Sequence, residues 1–167
     1  MNKENAYKRL QGIKGTWEIM SSSCEDFPAI RTIADEMGES FVFDFFDKDN
    51  DYTLFYFYLA QSGISLAKEP LTKMLNDPSF CEKDNPENPY WGSLGLLILN
   101  DSSGADFLER MLLREVEELY YFTNEELLSD LLPFKNDAIK RFAIKVLEKH
   151  GETFNDKELS LLKMLTN

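Results

Sequence analysis

Apolar residues recur at helical intervals through the C-terminal part of the chain. In 137–150, Ala138, Ile139, Phe142, Ala143, Val146 and Leu147 share one stripe, while Lys140, Arg141, Lys145, Glu148 and Lys149 take the other faces. That spacing predicts an amphipathic helix over Asp137–His150. Asn136 is placed as its N-cap, Lys149 and His150 lie where cations meet the negative helix end, and Gly151 suits a left-handed closing position. Asn155 followed three residues later by Glu158 is the sequence of a capping box, ahead of an apolar face of Leu159, Leu162, Met164 and Leu165. Thr123 and Glu126 repeat that signature before Leu127, Leu128, Leu131 and Leu132, and Pro133 stops the helix. Ser103 with Asp106 opens a further helix, expected to run through Phe107, Leu108, Met111, Leu112, Val116 and Leu119. From residue 103 onward the chain reads as four helices joined by short turns.

The first half carries weaker punctuation. Tyr7, Leu10 and Ile13 mark an early helix, and Ser23–Met37, closed by Gly38, marks another through Phe27, Ile30, Ile33, Ala34 and Met37. Residues 41–59 set two aromatic runs, 41–46 and 52–59, around the polar stretch Asp47-Lys48-Asp49-Asn50-Asp51. Propensity makes this a β-hairpin. The helical context and the imperfect alternation make it two helices meeting at an acidic loop, and both readings stand on sequence alone. Leu66–Leu75 reads as a helix with Pro70 in its first turn or splitting it. Asn76–Tyr90, with Pro78, Pro86 and Pro89, reads as the longest loop, and Trp91–Leu99 as a buried helix in which Gly92 and Gly95 permit close packing.

Length and composition narrow the class. The 167 residues, 43% apolar and 13% aromatic, hold enough core for one folded domain spanning 1–167. The expected class is mainly α: a compact helical bundle or a short stack of helix pairs. Eighteen Lys and Arg against 30 Asp and Glu leave a net charge of −12, which lacks the basic footprint of a nucleic-acid binder and is repelled by anionic membranes. Such a surface favours solubility and fast, salt-sensitive association with a basic partner. The N-terminus has no apolar stretch of the signal-peptide kind, and the longest apolar runs, such as Leu54–Ala60 and Leu96–Leu99, are far below membrane-helix length, so a cytoplasmic location is expected. Cys24 and Cys81 stand alone beside a single histidine. No disulfide framework or zinc site is expected, and both thiols are read as small buried hydrophobes.

Apolar helix ends followed by a polar turn recur at Met74-Leu75-Asn76-Asp77, Leu97-Ile98-Leu99-Asn100-Asp101 and Leu131-Leu132. The last leads into Asp137, Arg141 and Ala143, a turn aspartate followed by a basic residue four positions on and an alanine after it. This run resembles a HEAT-type helical repeat. The resemblance covers about 30 residues, and the helix ends at Leu75, Leu99 and Leu132 are spaced more closely than the roughly 40 residues of that family. It implies a scaffold that stacks helix pairs and offers a face to a partner, which means binding rather than chemistry.

Candidate chemistry is sparse. Asp47, Asp49 and Asp51 alternate like the start of an EF-hand loop, but the sixth and twelfth positions, which need Gly and Glu, hold Tyr52 and Tyr58. A solvated turn is the preferred reading, with no metal and no cofactor. His150 is explained by its helix end, and no nucleophile elbow, P-loop or dinucleotide glycine pattern is present. Charge is more informative by segment: residues 106–132 carry eight acids and two bases, whereas 133–167 carry seven bases and five acids. Glu115, Glu117, Glu118, Glu125, Glu126 and Asp130 surround Tyr120, Tyr121 and Phe122. Acids beside aromatics suit capture of Lys or Arg from a partner, so Glu115, Glu117, Glu118, Tyr121, Glu125, Glu126 and Asp130 are the expected partner-binding residues. The competing reading makes the acids a solvated helix start and the tyrosines core. In size, acidity and lack of catalytic motif the chain resembles bacterial immunity proteins that neutralise a cognate toxin. That implies a non-enzymatic inhibitor of a basic protein, with an adaptor, or an acidic-cleft enzyme using Asp47, Asp49 and Asp51, as alternatives.

Overall fold

Side-chain caps set several helix starts. In a computed structural model that describes residues 1–18, 25–48, 52–77, 80 and 86–167, both expected capping boxes form. The described residues hold ten α-helices and no strand. In chain order these are α1 (Lys3–Glu18), α2 (Asp26–Met37), α3 (Glu39–Asp47), α4 (Leu54–Gln61), α5 (Lys68–Asn76), α6 (Asn88–Ile98), α7 (Ala105–Leu112), α8 (Asn124–Leu131), α9 (Asp137–His150) and α10 (Asp156–Leu165). Helix α9 has the bounds its apolar stripe predicts, and Asn136 Oδ1 accepts from the Ile139 amide at 3.0 Å. The same side chain donates to the Leu97 and Ile98 carbonyls at 2.8 and 3.0 Å, clipping the start of α9 to the end of α6. Asn100, at φ 60°, adds a bond from the Ala138 amide to its Oδ1 at 2.9 Å.

Of the two readings of residues 41–59 the helical one holds, and three other expectations change. Residues 41–59 form no hairpin: α3 and α4 occupy them, with 49–51 outside the described residues. Helix α4 is buried on all sides from Phe55 to Ala60, so its pattern follows neither a period of 2 nor one of 3.6. Packing favours the helices: Trp17 of α1 stacks on Phe46 at 4.8 Å and reaches Tyr58 at 5.0 Å and Phe55 at 6.0 Å, and Phe57 meets Trp91 of α6 at 4.9 Å. Each such pair contributes about 0.5–1.5 kcal/mol beyond its burial, enough to override an aromatic preference for strands.

The helix expected from Ser103 to Leu119 is shorter at both ends. Asp101 caps a 3₁₀ turn, Ser102–Gly104, by accepting from the Ser103 amide at 3.0 Å, and α7 follows that turn with no side-chain cap of its own. It stops at Leu112 because Arg114 takes φ 60°, where the chain reverses before the turn Glu117–Leu119. Gly151 is right-handed at φ −54° and continues α9 into a 3₁₀ turn, Gly151–Thr153, rather than closing it in the left-handed region. The third change is at the 76–90 loop, where α6 already starts at Asn88; residues 78–79 and 81–85 lie outside the described residues, as do Ser23, Cys24 and Cys81.

Helix α6 organises the interior. It packs against α4, α5, α7 and α9 and carries no charged side chain. A Cβ on Gly92 would lie 2.7 Å from the Leu71 carbonyl oxygen, and one on Gly95 2.8 Å from Leu71 Cδ2, so the two glycines let α5 and α6 meet backbone to backbone. Pro70 sits in the first turn of α5, where its missing amide costs nothing. No helix among the described residues is long and apolar enough to cross a membrane.

Candidate functional site: an acidic, aromatic corner

The segment between α7 and α8 is held from inside. Arg114 donates from Nη1 to the carbonyls of Phe122 at 2.6 Å and Tyr120 at 3.3 Å, and Asn124 Nδ2 donates to the Leu112 carbonyl at 3.1 Å. Leu119 is buried beneath the turn, and the Phe122 ring stacks on Tyr90 of α6 at 4.1 Å, meeting Trp91 edge-on at 5.6 Å. These anchors leave Glu117, Glu118 and Tyr120 outside. Tyr120 is 77% exposed and Tyr121 49%, with their rings edge to face at 6.1 Å. The competing expectation that these tyrosines are core therefore fails.

The seven expected residues do not form one equivalent set. Glu117 and Glu118 have no cation within 4.0 Å among the described residues. Glu115 has Arg110 Nε at 3.8 Å. Glu125 is turned onto Lys157 of α10. Glu126 is used by its own helix: its carboxylate accepts from the Thr123 amide and hydroxyl, both at 2.8 Å, and these bonds hold it below the usual carboxylate range. Asp130, one turn on, is pushed up by its partial burial and then by the negative charge of Glu126. Tyr121 donates from its hydroxyl to Glu87 Oε1 at 2.8 Å; burial first, then that bond and the carboxylate charge, push the phenol up to about 12.

Glu87 is the residue that sequence reasoning misses. It lies just ahead of α6, 34 positions from Tyr121, and also accepts from Trp91 Nε1 at 3.0 Å. Its proline-flanked setting reads as loop, and no local spacing links it to the corner. Beneath it, Tyr90 is 0% exposed and its hydroxyl has no hydrogen-bond partner among the described residues. Burial raises its pKa well above the ordinary phenol value, helped by the charges of Asp130, Glu126 and Glu87.

The other expected chemistry gives little. Asp47 accepts from the Tyr56 hydroxyl at 2.7 Å, and Asp49 and Asp51 lie outside the described residues. Among the described residues no group of three or more His, Cys, Asp or Glu side chains is placed to hold a metal ion. His150 does more than close a helix: its Nε2 lies 3.0 Å from Glu109 Oε1, beside Lys145 Nζ at 2.6 Å from Glu109 Oε2. Comparison with known protein families, curated proteins and solved structures finds no match.

Proposed function

We propose that this chain is an acidic, helix-built binding protein, and that the surface it offers is the corner between α7 and α8. Within that class the reading is an inhibitor of the immunity type, which occupies a basic protein such as a bacterial toxin and blocks it. One observation carries it: Glu117 and Glu118, with no cation within 4.0 Å among the described residues, lie two or three positions from the exposed Tyr120 on a segment that Arg114 fixes from below. Carboxylates placed this way steer a basic surface in, and a tyrosine already held supplies contact area with little further ordering.

The test is a charge reversal, Glu117→Lys with Glu118→Lys, in binding measurements by calorimetry on the basic protein recovered at low salt. Reversal at a rim charge pair should weaken binding by about tenfold and flatten its salt dependence. Unchanged affinity at low ionic strength would remove this surface from consideration. An adaptor, the alternative implied by the helical-repeat resemblance around Asp137, Arg141 and Ala143, differs in outcome: its partner would keep full activity inside the complex.

A further inference from the structure

A second concave surface lies away from the acidic corner, between α1 and α3, and its charge is of the opposite kind. It is an open groove of about 620 Å³, large enough to take a small molecule along one side. Tyr7, 49% exposed, and Phe45 form its aromatic floor, their rings edge to face at 5.0 Å. Gly15 leaves the wall open, since a Cβ there would meet nothing within 4 Å. Three ammonium groups border it: Lys3 and Lys14 from α1 and Lys48 from the end of α3, against two carboxylates, Glu18 and Asp44. None of these lysines has a carboxylate within 4.0 Å among the described residues; Lys3 lies 6.0 Å from the Phe41 ring centre and Lys14 6.0 Å from those of Phe45 and Phe55.

On a molecule of net charge −12, this aromatic-floored concavity carries three lysines against two carboxylates, none of the three ion-paired among the described residues, so its local charge favours an anion from outside. We propose that the α1–α3 groove binds a small planar aromatic molecule bearing an anionic group, its ring packed on Tyr7 and Phe45 and its anion held by Lys3, Lys14 and Lys48. Flat rings gain from edge and offset contacts with Tyr and Phe. Ammonium groups serve carboxylate and phosphate alike as point charges, so the shared chemistry is the planar ring with its anion. The site is independent of the acidic corner.

The experiment titrates the full chain with 2-naphthoate and, separately, with adenosine 5′-monophosphate, following backbone amide shifts by NMR. The uncharged 2-naphthalenemethanol is the control. Saturable shifts confined to α1 and α3, with a Kd of about 1 mM or tighter for at least one anion, support the site, and the arm that binds tells carboxylate from phosphate. Lys14→Gln should weaken that binding at least about fivefold while the melting temperature stays put, as befits a side chain outside the core. Tyr7→Leu should weaken it for the naphthoate as well. Equal binding of the uncharged control, unchanged affinity in Lys14→Gln, or no saturation by either anion overturns the proposal. Glu117→Lys leaves a true groove ligand unaffected, so failure here and failure of the basic-partner reading are read separately.

Discussion

Replacing Tyr90 by Phe should make the protein more stable, which is the reverse of the usual outcome in a core. The ring keeps its stack on Phe122 at 4.1 Å and its edge contact with Trp91 at 4.8 Å. What disappears is a hydroxyl that is fully buried and has no hydrogen-bond partner among the described residues. An unsatisfied buried hydroxyl costs about 1–3 kcal/mol, and the void left by one oxygen returns part of that gain. A net increase of about 1 kcal/mol follows, or about 2–4 °C in Tm for a chain of this length. A second readout uses alkali. The Tyr90 hydroxyl ionises in the unfolded chain near pH 10 but only at higher pH when folded, since burial and the charges of Asp130, Glu126 and Glu87 oppose it. This group therefore leaves stability unchanged below pH 10 and lowers it as pH rises beyond that, at up to about 1.4 kcal/mol per pH unit. Differential scanning calorimetry from pH 8 to 11 should show Tyr90→Phe with the higher Tm at pH 8 and the shallower loss above pH 10. A lower Tm at pH 8 would refute the reasoning, because it would mean that the hydroxyl is satisfied, for instance through an ordered water.

Gly104→Ala should cost about 2 kcal/mol, seen as a lower denaturation midpoint, because its Cβ would fall 2.5 Å from Ser93 Cα and 2.7 Å from the Ser93 carbonyl oxygen. Gly12→Ala should move the other way by about 0.5–1 kcal/mol, since it sits within α1 with nothing within 4 Å of the new methyl. At Glu109 burial works against the charge, but bonds from Lys145 and His150 and the charge of Lys149 outweigh it and hold the carboxyl below its usual range. That stabilisation is fully present above the ordinary glutamate value of about 4.3 and is lost as pH falls through the lower folded value. Glu109→Gln should therefore lower stability by about 1 kcal/mol at pH 7, and thermal melts of the two proteins should converge in acid.

Elements with their own punctuation were legible in the sequence. Thr123 with Glu126 and Asn155 with Glu158 close their boxes as the spacing predicts, and the stripe from Ala138 to Leu147 gives α9 its bounds. These features are local, since every partner lies within a turn or two. Helix α4 was ambiguous because burial on every face erases periodicity, and what buries it, Trp17 of α1 and above all α6, lies far away in sequence. The end of α7 was hidden for a related reason. Arg114 in a left-handed conformation is held by its guanidinium on carbonyls six and eight residues ahead, and no residue type at that position announces it. At the acidic corner the capping box already assigned Glu126 to its own helix, whereas nothing local told that Glu125 would turn onto Lys157 while Glu117 and Glu118 stay without a cation among the described residues. The groove between α1 and α3 was legible only in part: Lys3, Tyr7, Lys14 and Glu18 share one side of α1, next to the buried Leu10 and Trp17, yet nothing local says that α3 lies beside it.

An uncharged α6 at the centre of the packing has a bearing on how the molecule comes apart. Its eleven residues, Asn88–Ile98, have almost no wettable face, so a cut ahead of it would strand an oily rod on one fragment and an uncovered α5 on the other. Neither half is equipped to persist by itself, and loss of structure should spread through both together. Amide hydrogens from Leu94 to Leu97 would then trade for deuterium only when the whole chain opens, making them natural reporters of its global stability.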